Sequence, residues 1–471
     1  GDRANPSLAL TATTYLITST AVDLGSPGKD NTFGYGRIDA YQAVSTLVQG
    51  GTFAGRVRDG LSGAPLANVQ ILLSNLATGG QTVGYTDETG VYAISVAQGR
   101  YDVTARCFGY QEAIATDIQI LARTTTQLDF ALQPLPRGTL RGQVVLAGGN
   151  WPPATTVSLV GTPLSTEVDA QGYYTLTVPV GVYTVRALPK VVGYRGAEAG
   201  GIEITAEGFH TVNLTLTPAP KLLLVDADAW QGNNIIGYYR SLLTNLLYAY
   251  DLHTILDPPT DNPSAADLGR YDVVLWAQPV ASPGYIGAWD ALGAFLRQGG
   301  KLFLSGQDIG YWDANYGYEA YTAALHARYL GDDGGLEPLQ GLADELFAGL
   351  QLTYNTLDSA RNQDQPDRIA PADVHAHALM GPQADDARAS RSDDCAGRVV
   401  YLSFGLEGVG PEAARRALLQ RAINWLATPR PERGAELRLE VSSKATTIGR
   451  TVAYNLLLTN NGQTTERFQL T

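Results

Sequence analysis

The sequence predicts a multidomain chain in which all-β sandwiches are followed by an α/β domain built on a doubly wound parallel sheet. Three observations lead there. A unit of about 84 residues occurs twice between residues 51 and 219, which marks a domain-sized internal repeat. Within each copy apolar and polar residues alternate at period two, as half-buried strands do. From Lys221 onward continuous apolar runs alternate with helical spacing, the pattern of parallel strands covered on both faces.

Composition bounds the rest. At 471 residues and 44% hydrophobic content the chain can bury several cores. Its 33 basic and 46 acidic residues give a net charge of −13, and no lysine or arginine cluster occurs. A phosphate backbone would find no electrostatic footprint, so no nucleic-acid partner is expected. No apolar run approaches the ~20 residues of a bilayer span, so no membrane span is expected. The chain opens with Gly1 and its single methionine is Met380, so further sequence is expected to precede it. Cys107 and Cys395 fall in different predicted domains, and no structural disulfide is expected between them.

The first element is a short helix from Ser7 to Ala21, with Leu8, Leu10, Leu16 and Ile17 on one face. A loop rich in glycine and aspartate follows, and Ile38, Ala40, Tyr41, Val44 and Leu47 return at helical spacing. Asn5-Pro6, the helix ending at Thr18-Ser19-Thr20-Ala21, and Gly34-Tyr35-Gly36-Arg37-Ile38-Asp39-Ala40 with Ala43-Val44 resemble the C-terminal end of a subtilisin-like serine peptidase catalytic domain. The resemblance implies that the catalytic aspartate, histidine and serine lie upstream. No GTSxA-type motif occurs in the chain and no histidine precedes His210, so no catalytic residue of that triad is expected here.

The repeat comes next. "GTFAGRV" recurs as "GTLRGQV", "TDETGVYAISVAQGRYDVTA" as "VDAQGYYTLTVPVGVYTVRA", and "QLDFALQP" as "TVNLTLTP". Tyr92, Ile94 and Val96, then Tyr101, Val103 and Ala105, alternate around Gln98-Gly99-Arg100, which predicts a hairpin turn. Gly55-x-Val57, Asp87-x-x-Gly90-x-Tyr92, Gly99-x-Tyr101 and Gly109-Tyr110, with counterparts around Gly142, Asp169, Gly172, Gly181 and Gly193-Tyr194, resemble the carboxypeptidase regulatory-like domain, a transthyretin-like sandwich. The resemblance implies spacers, stabilisers or ligand binders. Tyr110 and Tyr194 could stack on sugars or could simply pack.

After Pro218-Ala219-Pro220 the texture changes. Strands are predicted at "KLLLVDADA", "YDVVLWAQ", "GGKLFLSG" and "GRVVYLSF", and helices over 235–250, 286–298 and 411–427. Ligands of such sheets bind at the strands' carboxyl ends. Those ends carry Asp226, Asp228, Gln278, Ser305, Gln307 and Asp308, which form the predicted ligand or cation crevice. The segment resembles the class I glutamine amidotransferase-like fold, with "LSGQDIG" putting Gln307 where that family carries its cysteine nucleophile.

Other chemistries remain open at this point. Asp226, Asp228 and Asp308 could gather around calcium or magnesium, or serve as strand-end caps. His375 and His377, two apart on a strand, could ligate zinc with Asp373, although no further ligand can be placed and no metal site is assigned. Ser305 with His326 or His375 as base would make an independent hydrolase. Trp230, Trp276 and Trp312 could line the crevice or belong to the core.

Pro429-Arg430-Pro431 reads as a linker, and the alternating segment after it, with an Asn460-Asn461-Gly462 turn, predicts the start of another sandwich. The expected domains are therefore 1–50, a peptidase remnant; 51–135 and 136–219, the sandwiches; 220–429, the amidotransferase-like α/β domain; and 430–471, a truncated immunoglobulin-like sandwich. The resemblances imply the accessory region of a secreted or cell-surface bacterial subtilisin-like peptidase, whose partner is an extracellular protein or peptide substrate. An extracellular carbohydrate-binding or surface protein is the alternative. No cofactor is expected beyond the calcium considered above.

Overall fold

The computed structural model describes residues 10–24, 29, 33–394, 396–430, 435–439 and 456–460. The Asn5-Pro6 pair, Leu8, Cys395, Pro431 and the Asn461-Gly462 turn lie outside the described residues. Among the described residues the structure is mostly β, with 41% in strands of several sheets and 18% in helices.

At the N-terminal side the Leu10–Ser19 and Ala40–Gln49 helices flank the glycine loop, whose ends meet where Val22 bridges Arg37. Gly36 has φ +93°, and a Cβ there would stand 2.1 Å from the Val22 carbonyl oxygen, so the turn requires glycine. Asp39 caps the second helix, its carboxylate accepting from the Gln42 N–H at 2.8 Å.

Each repeat folds as two sheets facing each other. In the first copy the Gly50–Asp59 strand pairs with Val91–Ala97 and with Thr125–Gln127 and Phe130–Leu132. The second sheet runs Gln81–Tyr85, Gln70–Asn75, Gly99–Arg106, Ala113–Ile120. The expected hairpin at Gln98-Gly99-Arg100 is not one: Val91–Ala97 and Gly99–Arg106 belong to opposite sheets, and the chain crosses between them. The same crossing follows Pro179 in the second copy, where Tyr173–Pro179 pairs with Arg137–Leu146 but Gly181–Pro189 pairs with Thr155–Leu159. The alternation that suggests a hairpin is equally what two facing sheets require, because Tyr92, Ile94 and Val96 and then Tyr101, Val103 and Ala105 all point into one buried core. In each copy a core tyrosine keeps its hydroxyl satisfied: Tyr92 donates to the Leu128 carbonyl at 2.5 Å and Tyr174 to that of Val212 at 2.7 Å.

Beyond Lys221 a seven-stranded sheet has the order Tyr250–Thr254, Leu222–Asp226, Val273–Ala277, Lys301–Ser305, Arg398–Leu402, Ala389–Asp393, Ala376–Met380. The first five run parallel and the last two antiparallel. One face packs Leu222, Leu224, Val273, Leu275 and Phe303 against the Ile236–Asn245 and Glu412–Ala427 helices. The other packs Leu223, Val225, Val274, Trp276 and Leu304 against the Trp289–Arg297 and Glu319–Leu325 helices. Trp276 is thus core, not crevice lining. At the C-terminal side Ala435–Leu439 pairs antiparallel with Leu456–Asn460.

Candidate functional site

From Asp226 the chain moves outward to the Tyr250–Thr254 strand and then returns to the other side at Val273–Ala277. The sheet order therefore reverses beside Leu222–Asp226, and the carboxyl ends of that strand and Val273–Ala277 flank the place where open parallel sheets take ligands. The Ala227 N–H donates to the Ala277 carbonyl at 3.0 Å and the Gln278 N–H to that of Ser305 at 2.9 Å, which ties the three strand ends together.

The fold brings Asp226, Asp228, Gln278, Ser305 and Gln307 to this edge and buries all five, while Asp308 is half-buried at the head of the Ile309–Asn315 helix. Gln278 accepts from the Trp276 indole N–H at 2.7 Å, while its Nε2 has no partner. Asn233 donates to Asp228 Oδ2 at 2.5 Å; Asp228 Oδ1 and Asp226 Oδ1 have none. Burial, reinforced by the neighbouring Asp226 and Glu407 carboxylates and opposed by the Asn233 hydrogen bond, pushes Asp228 up to about 7.

Ser305 is fully buried and its hydroxyl is occupied. It donates to the Phe404 carbonyl at 2.9 Å and accepts from the Leu406 N–H at 2.9 Å and the Tyr239 hydroxyl at 3.1 Å. Tyr239 also lies 3.0 Å from Glu407, which Asn362 holds from its other oxygen at 2.9 Å. Gln307 accepts the Asp364 N–H at 3.0 Å through Oε1, so its side chain fastens a loop. Gly306 between them admits no side chain, since a Cβ would sit 1.7 Å from the Gln278 carbonyl oxygen.

The proposed hydrolase base is elsewhere. His326 bonds Asp373 at 2.6 Å through Nδ1 and lies 3.5 Å from Asp394 through Nε2; with these carboxylates it is raised to about 8, the Asp394 contact contributing most. It lines a cleft of about 150 Å³ with Trp289, Asp290, Arg297 and Asp394, beside Gly397 at the opposite end of the strands from Ser305. His375 packs its ring on His326, with centroids 5.5 Å apart, whereas His377 bonds Glu345 at 2.9 Å. The two histidines thus face different partners.

The three aspartates weighed for a cation are divided as well. Asp228 feels Asp226 and Glu407, while Asp308, pushed up to about 7 chiefly by burial, feels Asp332 and Asp364. Among the described residues no three His, Cys, Asp or Glu side chains are grouped to hold a metal ion. Tyr110 is half-buried with its hydroxyl on Asp59 at 2.8 Å, and Tyr194 is half-buried in a short strand paired with Leu214–Pro218. Sequence reasoning missed Tyr239 and Glu407. Glu407 follows the apolar "VVYLSF" strand on a glycine-flanked turn, the same signal that marked Asp226 and Asp308.

Comparison with known proteins bears on the repeat. Residues 52–133 and 139–217 each match the family model of the carboxypeptidase regulatory-like domain, so the chain carries two such domains. No curated protein matches the chain. Among solved structures it is similar to the Bacillus anthracis TIE protein at 16% identity (38% of this chain and 37% of that one, TM-score 0.19). It is similar also to a streptococcal ancillary pilin at 14% identity (35% and 62%, TM-score 0.23). A putative GMP synthase protein from Thermoplasma acidophilum aligns at 10% identity (44% and 94%, TM-score 0.30). The chain spans less than two thirds of the length of the first two. Among the described residues no helix is long and apolar enough to cross a membrane.

Proposed function

We propose that this chain is the noncatalytic accessory region of an extracellular protein, in which two carboxypeptidase regulatory-like sandwiches act as spacers for a unit that binds a ligand at its strand-end edge. The observation that carries the reading is the state of Ser305: its hydroxyl is buried and committed to three hydrogen bonds, and the next side chain on the turn is Gln307, which cannot act as a nucleophile. A nucleophile needs a base within reach and a free hydroxyl, and His326 spends both ring nitrogens on carboxylates.

The amidotransferase-like reading of residues 220–429 is supported by the strand order and by the sharp glycine turn after Lys301–Ser305, with the nucleophile replaced. The finer proposal, a secreted bacterial subtilisin-like peptidase as parent, rests on the residue pattern around Gly34 to Val44. Ile38, Tyr41 and Val44 remain 63%, 80% and 45% exposed, an apolar face that a catalytic domain would cover. Treating the intact chain with a fluorophosphonate probe and mapping the label tests the noncatalytic reading: no label at Ser305 is expected, and a label there overturns it.

A further inference from the structure

The strand-end edge carries a run of aromatic rings that the hydrogen-bonded polar cluster does not use. Trp230 follows the Leu222–Asp226 strand, Tyr285 sits in the loop after Val273–Ala277, and Trp312 and Tyr316 belong to the turn of helix after Lys301–Ser305. Their centroids step 6.0, 4.9 and 5.2 Å from one ring to the next, and the first and last pairs are near-parallel, at 19° and 23°. Tyr285 is 52% and Tyr316 64% exposed. Trp230 and Trp312 are half-buried, so three separate segments converge on one contiguous aromatic run whose two tyrosines are open to solvent.

We propose that the rim formed by Trp230, Tyr285, Trp312 and Tyr316 is a carbohydrate-binding site that takes a neutral oligosaccharide. This deepens, and rests on, the reading of the chain as a noncatalytic binding region. Large exposed apolar surface on a folded domain marks an interaction site, and the composition here selects the ligand. The apolar C–H face of a pyranose carries slight positive charge and complements the electron-rich face of an indole or phenol ring, while phenol hydroxyls at the ring edges suit sugar hydroxyls. Stacked nucleobases would use the same rings but need a basic groove for their phosphates. This chain carries a net charge of −13, and half-buried Asp308 stands beside the helix that bears Trp312. Tryptophan and tyrosine also anchor protein interfaces, so a protein partner is the outcome that the test below separates from a glycan.

The rim is also preorganised, which lowers the ordering cost of binding. Buried Asp313, next to Trp312, accepts from the Ser282 hydroxyl and from the Trp289 indole N–H at 2.6 Å, and Ser282 in turn accepts the Tyr285 N–H at 3.0 Å. The loop bearing Tyr285 is therefore fastened to the helix bearing Trp312. A Cβ on Gly284 would meet Asp313 Oδ1 at 2.3 Å, so that loop can close down only around glycine.

The test is a depletion and affinity-electrophoresis series with the full chain against insoluble cellulose, chitin, β-mannan and xylan. At least one should retain it, and Tyr285→Ala with Tyr316→Ala should weaken retention about tenfold or more. Tyr316→Ala alone, on the most exposed ring, decides the matter if the double variant does not fold. Retention by none of the four, retention unchanged by the substitutions, or binding to protein ligands only would overturn the proposal. Reducing ends and free amines are measured in the same tubes. Their release would overturn the noncatalytic reading instead, whereas absent retention without release overturns only the glycan site.

Discussion

Replacing Ser305 by alanine separates a structural serine from a catalytic one. The hydroxyl bridges three groups at a fully buried position: the Phe404 carbonyl, the Leu406 N–H and the Tyr239 hydroxyl. Tyr239 keeps Glu407 as partner after the substitution, so its loss is small. The Leu406 N–H and the Phe404 carbonyl lose the partner described here, and each buried unsatisfied group costs about 1–3 kcal/mol. The sum, roughly 2–4 kcal/mol after partial relaxation, is large against the 5–15 kcal/mol by which a domain is stable. Tryptophan fluorescence reads the right unit, because Trp230, Trp276, Trp289, Trp312 and Trp425 lie in it and only Trp151 lies in a sandwich. Urea unfolding followed at those tryptophans should show the midpoint falling with an unchanged slope. A Ser305→Ala chain as stable as the original, but deprived of some hydrolytic activity that the original has, would refute the reasoning.

Two further outcomes follow from buried groups. Because the folded-state value of Asp228 is raised above its unfolded value, the folded chain holds the proton that the unfolded chain releases between about pH 4 and 7, so this group's contribution is lost as pH rises through that window. The seven-stranded unit should therefore melt higher at pH 5 than at pH 8, and Asp228→Asn should stabilise it at pH 8 by up to a few kcal/mol and flatten the profile. An unchanged profile in that variant would sink the assignment. In the sandwiches, Tyr92→Phe and Tyr174→Phe each strip the donor from one buried carbonyl and should cost about 1–2 kcal/mol apiece, nearly equally, by denaturant titration. A cost in one copy alone would show that the repeats do not share this device.

Legibility in the sequence followed burial. The four runs at Leu222–Asp226, Val273–Ala277, Lys301–Ser305 and Arg398–Leu402 are almost wholly buried on both faces, and so read as unbroken apolar stretches. The Tyr250–Thr254 strand was hidden because it is an edge strand, partly exposed and polar, and the sequence assigns its start to the preceding helix. That helix ends at Asn245, where Leu247 takes φ +65°, a stop that no glycine or proline announces. Ala389–Asp393 escaped for a related reason: its small and polar residues run antiparallel at the sheet's far side and carry little hydrophobic signal. The strand-end residues were legible as a set because a parallel sheet collects its carboxyl ends along one edge. Their hydrogen bonds were not, since Ser305, Tyr239 and Glu407 are joined across separations of 66 to 168 residues. The aromatic rim was half legible: Trp230 and Trp312 stood out, but Tyr285 and Tyr316 come from loop and helix-end positions with no pattern of their own.

The most direct test of a noncatalytic Ser305 is fluorophosphonate labelling of the intact chain followed by peptide mapping across Lys301 to Asp308. No adduct at Ser305 is expected at any pH at which the unit stays folded, because the hydroxyl is enclosed and no base addresses it. An adduct at Ser305 that disappears in Ser305→Ala would contradict this and make the seven-stranded unit a hydrolase.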